Sequence, residues 1–276
     1  MKILCIAGPT ASGKSARAVE EALLRDGEVI SVDSRQVYRR LDIGTEKISP
    51  EEMRGIPHHL IDIREPDMPY SAGDFVEDAS RLIREITVRG KLPILAGGTH
   101  FYFDALLNGL PEETPPDPSL RAGLEGLSDA QLLQRIEDAD PERAAELDPK
   151  NRRRLVRALE IIERHGSVPR RAPSQRYATE WILMEPESEE LRGRIERRLA
   201  SALERGLVEE ARRVRERVGD ARLDELGLEY RIVGEYLRGE RDEASLLPAL
   251  TAKLWQYARR QKAWLRKLRG AATAAD

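Results

Sequence analysis

The sequence of 276 residues predicts an α/β fold, in which a parallel β-sheet is flanked by helices and joined to a helical insertion and a helical C-terminal region. Three observations carry this prediction. Short apolar runs alternate with segments of helical periodicity through the first part of the chain. Glycines directly follow two of those runs, at the strand ends where parallel sheets bind ligands. From residue 187 onwards the sequence is helical and rich in arginine.

The individual elements follow from length and periodicity. Apolar runs of four to six residues are too short for helices and suit buried strands. The predicted strands are residues 3–7, 28–32, 59–63, 92–96 and 181–184. Segments in which apolar residues recur every three or four positions are predicted to be helices. These are residues 16–24, 71–89, 120–147, 151–164 and the region 187–268, with turns marked by Asp140-Pro141 and Asp148-Pro149.

A proline- and acid-rich segment at residues 111–118 interrupts the alternation and indicates a domain boundary. We therefore expect residues 1–118 and 166–276 to form the core, and residues 119–165 to form a helical insertion. A polar, arginine-rich loop at residues 169–177 leads back to the last core strand.

The segment from Gly8 to Ser15 fits the pattern G-x-x-x-x-G-K-[ST] and lies between the first strand and the first helix. In such a P-loop, backbone N–H groups and the helix N-terminus bind phosphate oxygens. We expect Lys14 to reach the terminal phosphates and the Ser15 hydroxyl to bind Mg²⁺. The sheet is therefore expected to be P-loop NTPase-like, with a phosphate site made of Gly8, Pro9, Thr10, Ala11, Ser12, Gly13, Lys14 and Ser15.

Asp33 is the carboxylate best placed to act beside this loop, because it directly follows the predicted strand 28–32. A P-loop NTPase normally has a second strand that ends in an Mg²⁺-binding aspartate, but the third long strand here ends in Gly97 and Gly98. Asp33 could bind Mg²⁺, act as a general base, or only cap the following segment. The sequence leaves these alternatives open.

Charge is divided unevenly along the chain, whose formal net charge is −3. Residues 1–148 contain 17 Lys and Arg against 28 Asp and Glu, a balance of −11, whereas residues 149–276 contain 29 against 21, a balance of +8. The basic half is typical of polyanion binding, although arginines paired with glutamates on solvated helices would give the same composition. A single cysteine, Cys5, excludes a disulfide framework. No apolar run has the length of a membrane span, so a cytoplasmic protein is expected.

Several motifs resemble those of the tRNA dimethylallyltransferases, the IPP transferase family, and they follow one another in that family's order over nearly the whole chain. They are residues 33–38 (DSRQVY), 42–47 (DIGTEK), 57–60 (PHHL), 70–75 (YSAGDF), 97–99 (GGT), 154–160 (RLVRALE), 194–198 (RIERR), 226–231 (LGLEYR) and 259–264 (RRQKAW). The chain departs from the family at Glu229, a position that is usually small there.

The resemblance implies transfer of a dimethylallyl group from dimethylallyl diphosphate to N6 of the adenosine immediately 3′ of the anticodon in tRNA. The P-loop would then hold the donor diphosphate, and no nucleotide would be hydrolysed. The implied catalytic residues are Asp33 as general base, Lys14, and Arg198 from the basic half, with Mg²⁺ on Ser15. Helical phase places Arg198 at the edge of an apolar arc, where its partner would be a bound anion or a buried glutamate.

The resemblance also implies contacts with the tRNA anticodon stem-loop, whose target adenine must leave its stack to reach the site. The implied contact residues are Asp33, Ser34, Arg35, Gln36, Thr99, Arg121, Arg153, Arg154, Arg157, Tyr230 and Arg231. A monomer is expected.

Three other functions are compatible with parts of the sequence. An adenylate isopentenyltransferase would use the same donor site, but a mononucleotide acceptor does not require a basic half. A P-loop kinase would be expected to have the missing strand-end aspartate. A non-catalytic RNA-binding module would not need Lys14, Ser15 and Asp33 together.

Overall fold

The computed structural model describes residues 1–110, 117–169 and 176–273, with side chains up to residue 266. The fold contains one five-stranded sheet with the strand order β3-β2-β4-β1-β5, and every pair of neighbouring strands is parallel. The strands are β1 (Lys2–Ala7), β2 (Gly27–Val32), β3 (His58–His59), β4 (Leu92–Gly97) and β5 (Ala178–Leu183). The predicted α/β class with a parallel sheet is therefore confirmed.

Helices cover both faces of the sheet because alternate residues of each strand point in opposite directions. In β1, Ile3 packs in a cluster with Phe75, whereas its neighbour Leu4 packs in a different cluster with Ala18. The surrounding helices are α1 (Lys14–Arg25), the short α2 (Pro50–Met53), α3 (Ala72–Val88) and α4 (His100–Asn108).

The central strands end at the same level, which defines where a ligand can bind. Gly97 at the end of β4 is in register with Ala7 of β1 and with Val32 of β2. The P-loop, Asp33 and Gly98 directly follow these three residues. The sheet therefore brings together three segments that are far apart in the sequence.

The predicted strand 59–63 is wrong in its extent. In this segment the pairing with β2 is limited to His58 and His59. The chain then turns, since Leu60 has φ 62° and Asp62 has φ 55°. His59 Nε2 lies 2.7 Å from Glu28 Oε2, so this histidine holds β3 to β2.

Residues Asn108–Ser174 form a compact unit of their own, and Met1–Leu107 with Gln175–Asp276 form the other. The smaller unit contains α5 (Pro118–Glu125), α6 (Asp129–Ala139), α7 (Pro141–Glu146) and α8 (Arg152–His165) around its own apolar core. The region predicted to be helical over residues 120–147 therefore contains three helices, and the turn predicted at Asp140-Pro141 separates α6 from α7. Ser128 and Asp140 cap the second and third of them, and Pro141 begins α7.

The C-terminal region is helical, as predicted. It consists of α9 (Ser188–Glu204), α10 (Leu207–Glu225), α11 (Leu228–Leu237), a 3₁₀ turn (Glu243–Ser245) and α12 (Leu246–Thr273). α10 is interrupted at Gly219, whose φ of 77° breaks the helical path. Within the described ranges, no helix is long and apolar enough to cross a membrane.

Candidate active site

A cavity of about 660 Å³ opens at the carboxyl end of the sheet, within the larger unit. It is lined by the P-loop, by the turn after β2, by the end of β4 and by residues of α9, α11 and α12. Most of the residues predicted for the site meet here, and they come from five separate parts of the sequence. The members of the predicted set that line the cavity are Thr10, Ala11, Gly13, Lys14, Ser15, Asp33, Ser34, Arg35, Gln36, Thr99, Arg198, Tyr230 and Arg231.

The P-loop has the backbone conformation of a phosphate-binding loop. Gly13 has φ 88° and immediately precedes α1, so glycine is favoured where the loop enters the helix. Gly8 also has to be small, because a Cβ there would lie 2.6 Å from Ser12 Oγ and 2.9 Å from Met184 Cβ. Five loop residues, Thr10, Ala11, Gly13, Lys14 and Ser15, line the cavity, and the N-terminus of a helix such as α1 favours a bound anion.

Lys14 is the cation at the base of this site. Its ammonium donates a hydrogen bond to Pro9 O at 2.8 Å. Burial lowers the pKa of Lys14 to about 8; nearby Asp33 opposes this shift and Arg198 adds to it. The lysine therefore changes charge close to neutral pH unless an anion joins it.

Asp33 lies directly after β2 and holds the turn that follows it. Its Oδ1 accepts hydrogen bonds from Arg35 N at 2.8 Å and from Gln36 N at 3.3 Å. Among the described residues, no group donates a hydrogen bond to Oδ2. One carboxylate oxygen thus fixes the turn, and the other is available to the cavity.

Of the two partner types that its helical phase suggested, a bound anion or a glutamate, the structure shows Arg198 paired with glutamate. Its Nη1 donates to the hydroxyl of Thr10 in the P-loop. Its Nη2 lies 3.3 Å from Glu229 Oε1, and its Nε lies 3.4 Å from Glu46 Oε2. Burial raises the pKa of the Glu229 carboxyl, although neighbouring Arg198 lowers it. Arg198 therefore connects the phosphate-binding loop to two carboxylates on the cavity wall.

The 42–47 motif is held by a residue that the sequence analysis did not identify. Glu210 of α10 is 4 % exposed and accepts hydrogen bonds from the backbone N–H groups of Asp42 (2.9 Å), Ile43 (2.8 Å) and Gly44 (3.0 Å). It also accepts a hydrogen bond from the Tyr230 hydroxyl at 2.7 Å.

Two residues predicted to contact tRNA have other partners in this region. Tyr230 is only 1 % exposed, and its ring lies against Gly44, where a Cβ would approach it to 2.7 Å. The structure thus places Tyr230 as a support for the cavity wall, with its hydroxyl bonded to Glu210. Arg231 is exposed and donates to Asp224 O at 2.9 and 3.1 Å.

Four further arginines predicted to contact tRNA lie in the smaller unit, on α5 and α8. Arg121 Nε lies 2.7 Å from Glu160 Oε1, and Arg157 Nη1 lies 3.1 Å from Glu160 Oε2. Burial acts to raise the pKa of the Glu160 carboxyl, but the hydrogen bonds from these two arginines outweigh it and lower the pKa. Arg153 and Arg154 lie at the exposed start of α8.

α12 contributes a second residue that the sequence analysis did not single out. The buried amide of Gln261 accepts a hydrogen bond from Thr10 N at 2.9 Å and donates one to Gly98 O at 2.8 Å. Its position in the 259–264 motif was the only sequence signal, because the residues it contacts are more than 160 positions away.

The residues at the P-loop are compatible with a divalent cation bound together with a diphosphate. The exposed Ser15 hydroxyl lies at the start of α1, and hydroxyl and phosphate oxygens are ligands that Mg²⁺ accepts. In the described part of the chain, no group of three or more His, Cys, Asp or Glu residues could hold a metal by itself. A metal here would therefore depend on ligand oxygens.

Comparison with known proteins agrees with this geometry. The sequence profile described as IPP transferase matches residues 36–268. A protein of Streptococcus sanguinis named tRNA dimethylallyltransferase is 42 % identical over 96 % of this chain and 89 % of its own length. A protein of the same name from Thermomicrobium roseum is 41 % identical over 97 % of this chain and 84 % of its own length.

Solved structures resemble the chain over a similar extent. The tRNA isopentenylpyrophosphate transferase of Bacillus halodurans is 37 % identical with a TM-score of 0.72, and the match covers 96 % of this chain and 86 % of that protein. A eukaryotic dimethylallyltransferase acting on tRNA is 28 % identical with a TM-score of 0.83, over 96 % of this chain and 69 % of that one. On the profile match and on these identities, the chain belongs to the IPP transferase family.

Proposed function

We propose that the chain transfers the dimethylallyl group of dimethylallyl diphosphate to N6 of the adenosine 3′-adjacent to the anticodon in tRNA, and releases diphosphate. The observation that carries the proposal is that one cavity contains the P-loop lysine Lys14, the strand-end carboxylate Asp33 and the arginine Arg198. An anion site and a base in one cavity suit a reaction in which an anion leaves as an amine loses its proton. The names of the relatives support tRNA as the acceptor.

At the donor end, Lys14, Arg198 and those amides of the P-loop that are not bonded within the protein, as Thr10 N is to Gln261, would bind the diphosphate. Negative charge accumulates there as the allylic C1–O bond breaks, because the leaving diphosphate takes the electron pair. Cations and oriented amides that already point at this position stabilise the transition state without reorganisation. We propose that Mg²⁺, held by Ser15 and diphosphate oxygens, supplies further positive charge for the leaving group.

At the acceptor end, N6 of adenine would attack C1 of the prenyl group, and Asp33 would take the proton that N6 loses. Since Asp33 Oδ1 is bonded to two backbone amides, the free Oδ2 is the oxygen available for this proton. The target base would have to leave the anticodon-loop stack to enter the cavity. Ser34, Arg35, Gln36 and Thr99 surround Asp33 and would contact the flipped nucleotide.

Binding of the rest of the anticodon stem-loop is proposed to involve Arg121, Arg153, Arg154, Arg157 and Arg231, with Tyr230 acting through the loop that it supports. We propose that the helical unit of residues 119–165 is an insertion that contributes the contacts of Arg121, Arg153, Arg154 and Arg157, and that residues 1–118 and 166–276 carry the chemistry. The location in the cytoplasm and the monomeric state stay predictions.

The proposed function is tested with radiolabelled dimethylallyl diphosphate, Mg²⁺ and two acceptors in parallel, unmodified tRNA and AMP. Label in tRNA alone is the expected result, and a tRNA with guanosine in place of the adenosine next to the anticodon should remain unlabelled. Label in AMP would assign the chain to nucleotide prenylation. Label in neither acceptor, with ATP consumed instead, would mean that the P-loop belongs to a kinase.

A further inference from the structure

Gln261 connects two of the segments that form the cavity and is itself closed off from solvent. It lies in the middle of α12 and is 3 % exposed. Its Oε1 accepts from Thr10 N at 2.9 Å, and its Nε2 donates to Gly98 O at 2.8 Å. A single side chain therefore joins the P-loop to the end of β4.

The fit around this amide is close. A Cβ on residue 98 would lie 2.5 Å from Gln261 Nε2, so any side chain at this position would displace the amide. A carboxamide offers a donor and an acceptor on the same planar group, and both are used here. Leucine or glutamate would each lose at least one of these two hydrogen bonds.

Both segments joined by Gln261 continue directly to groups that are proposed to act in the reaction. Thr10, whose N–H is held by Gln261, accepts a hydrogen bond from Arg198 through its hydroxyl. On the other side, Thr99 follows Gly98 and accepts a hydrogen bond from Ser34 N at 3.1 Å, next to Asp33. A continuous hydrogen-bonded path thus runs from the diphosphate end of the cavity to the turn that carries the base.

We propose that Gln261 is a positioning residue that sets the spacing between the donor loop and the Asp33 turn. This inference rests on the proposed prenyl transfer. Gln261 does not line the reaction path by touching the proposed reacting atoms; it fixes the segments that do. Transfer requires C1 of the donor and N6 of the acceptor to meet in line, so a small change in the distance between the two segments lowers the rate strongly.

Replacing Gln261 by leucine keeps the approximate volume and removes both hydrogen bonds. We expect Gln261→Leu to lower kcat for prenyl transfer about 100-fold, because a misplacement of the order of 1 Å has that effect. The Kd of diphosphate, measured by calorimetry, should rise about tenfold because the loop amides are no longer held. The KM for tRNA should change much less than kcat, since the arginines proposed to bind the rest of the anticodon stem-loop, on α5, α8 and α11, do not bond to Gln261.

The pH dependence of kcat in Gln261→Glu distinguishes a positioning role from a purely structural one. The ionised carboxylate would place an oxygen against Gly98 O, whereas the protonated carboxyl can donate there as the amide does. The ratio of its kcat to the wild-type kcat should therefore rise as the pH is lowered from about 8 to about 5.5, around a raised Glu pKa. A ratio that is constant across this range would overturn the proposal.

Arg259→Leu is the matched control, because Arg259 lies on the same helix and is exposed. It should leave kcat and the diphosphate Kd unchanged. If Gln261→Leu lowers only the thermal midpoint, and the folded protein keeps its kcat and Kd, Gln261 has a structural role and the proposal fails. If the wild-type chain does not prenylate tRNA, the proposed function fails instead, and the diphosphate Kd of Gln261→Leu still tests the position of the loop.

Discussion

At the residue scale, the chemistry depends on how the structure divides the two oxygens of Asp33. One oxygen bonds to the amides of Arg35 and Gln36, and the other is free to accept a proton. Asp33→Asn can therefore remove the charge of the base and keep the turn, because an asparagine has an acceptor oxygen where Oδ1 lies.

We expect Asp33→Asn to lower kcat for prenyl transfer by about 10² to 10⁴, the contribution typical of a general base, while the KM for the donor stays close to that of the wild type. Steady-state and single-turnover assays with saturating tRNA measure both values. If the affinity for the donor fell as much as the rate, Asp33 would be a binding or metal-holding residue and not the base.

Lys14 gives a second test at this scale, in the form of a pH dependence. Burial lowers its pKa to about 8, so the ammonium form predominates at pH 7 and is lost as the pH rises through that value. In the proposed function diphosphate binds the ammonium form, and we therefore expect its Kd to increase progressively above pH 8. Binding above pH 8 should also be accompanied by proton uptake, detected by calorimetry in buffers of different ionisation enthalpy.

Lys14→Arg is the control for this pH dependence, because a guanidinium stays charged over the whole range. The variant should bind diphosphate with a Kd that varies only with the ionisation of the ligand itself. Equal pH profiles for the variant and the wild type would show that Lys14 does not titrate in this range.

At the element scale, α10 holds the 42–47 motif through Glu210, which satisfies three backbone amides and the Tyr230 hydroxyl at once. Removing its carboxylate would leave four donors without a partner inside the protein. The arrangement explains why Gly44 and Tyr230, which lie far apart in the sequence, belong to one structural unit.

We expect Glu210→Ala to lower the free energy of unfolding by about 3–5 kcal/mol, since several buried donors lose their acceptor together. Tyr230→Phe removes one of the four hydrogen bonds and should cost about 1 kcal/mol. Urea unfolding followed by circular dichroism measures both, with the exposed Glu209→Ala as the matched control. Equal losses for Glu210→Ala and Glu209→Ala would contradict the role assigned to Glu210.

Elements with a local signal were predictable from the sequence, whereas contacts between distant elements were not. β1, α1 and α3 follow from local sequence, because each has a signal that spans only a few residues. These signals are the apolar run of β1, the glycine loop before α1 and the capping box of α3. The turn at Leu60 and Asp62 depends on positive φ at two non-glycine residues, which no propensity predicts. Gln261 and Glu210 both bond to backbone groups more than 160 positions away, so only the folded chain reveals what they hold.

At the scale of the whole molecule, the uneven charge of the two halves is partly neutralised within the fold. Basic residues of the second half pair with acidic residues of the first, as Arg205 does with Glu46 at 2.9 Å and Arg217 with Glu65 at 3.1 Å. In the smaller unit, Arg121 and Arg157 share the buried Glu160. Some arginines of the basic half therefore hold the fold together through ion pairs, and others, such as the exposed Arg154, are the ones proposed to bind tRNA.

The salt dependence of tRNA binding separates these two groups of arginines. Each cation that neutralises a phosphate adds about 0.7 to 0.9 to the slope of log Kd against log salt concentration. Three to five such contacts would weaken tRNA binding about 20- to 500-fold between roughly 50 and 200 mM salt. Arg154, exposed at the start of α8, should contribute a full contact, so Arg154→Ala should reduce the slope by about 1.

Arg121→Ala is expected to behave differently, because it leaves the buried Glu160 with one arginine fewer. Its main effect should be a lower midpoint of unfolding. It should reduce the slope of log Kd against log salt concentration by less than Arg154→Ala does. The exposed Arg84→Ala in the acidic half, measured by the same filter-binding titration, should change neither quantity. If the wild-type Kd is independent of salt, the basic half does not bind the tRNA backbone, and its arginines serve only the ion pairs within the protein.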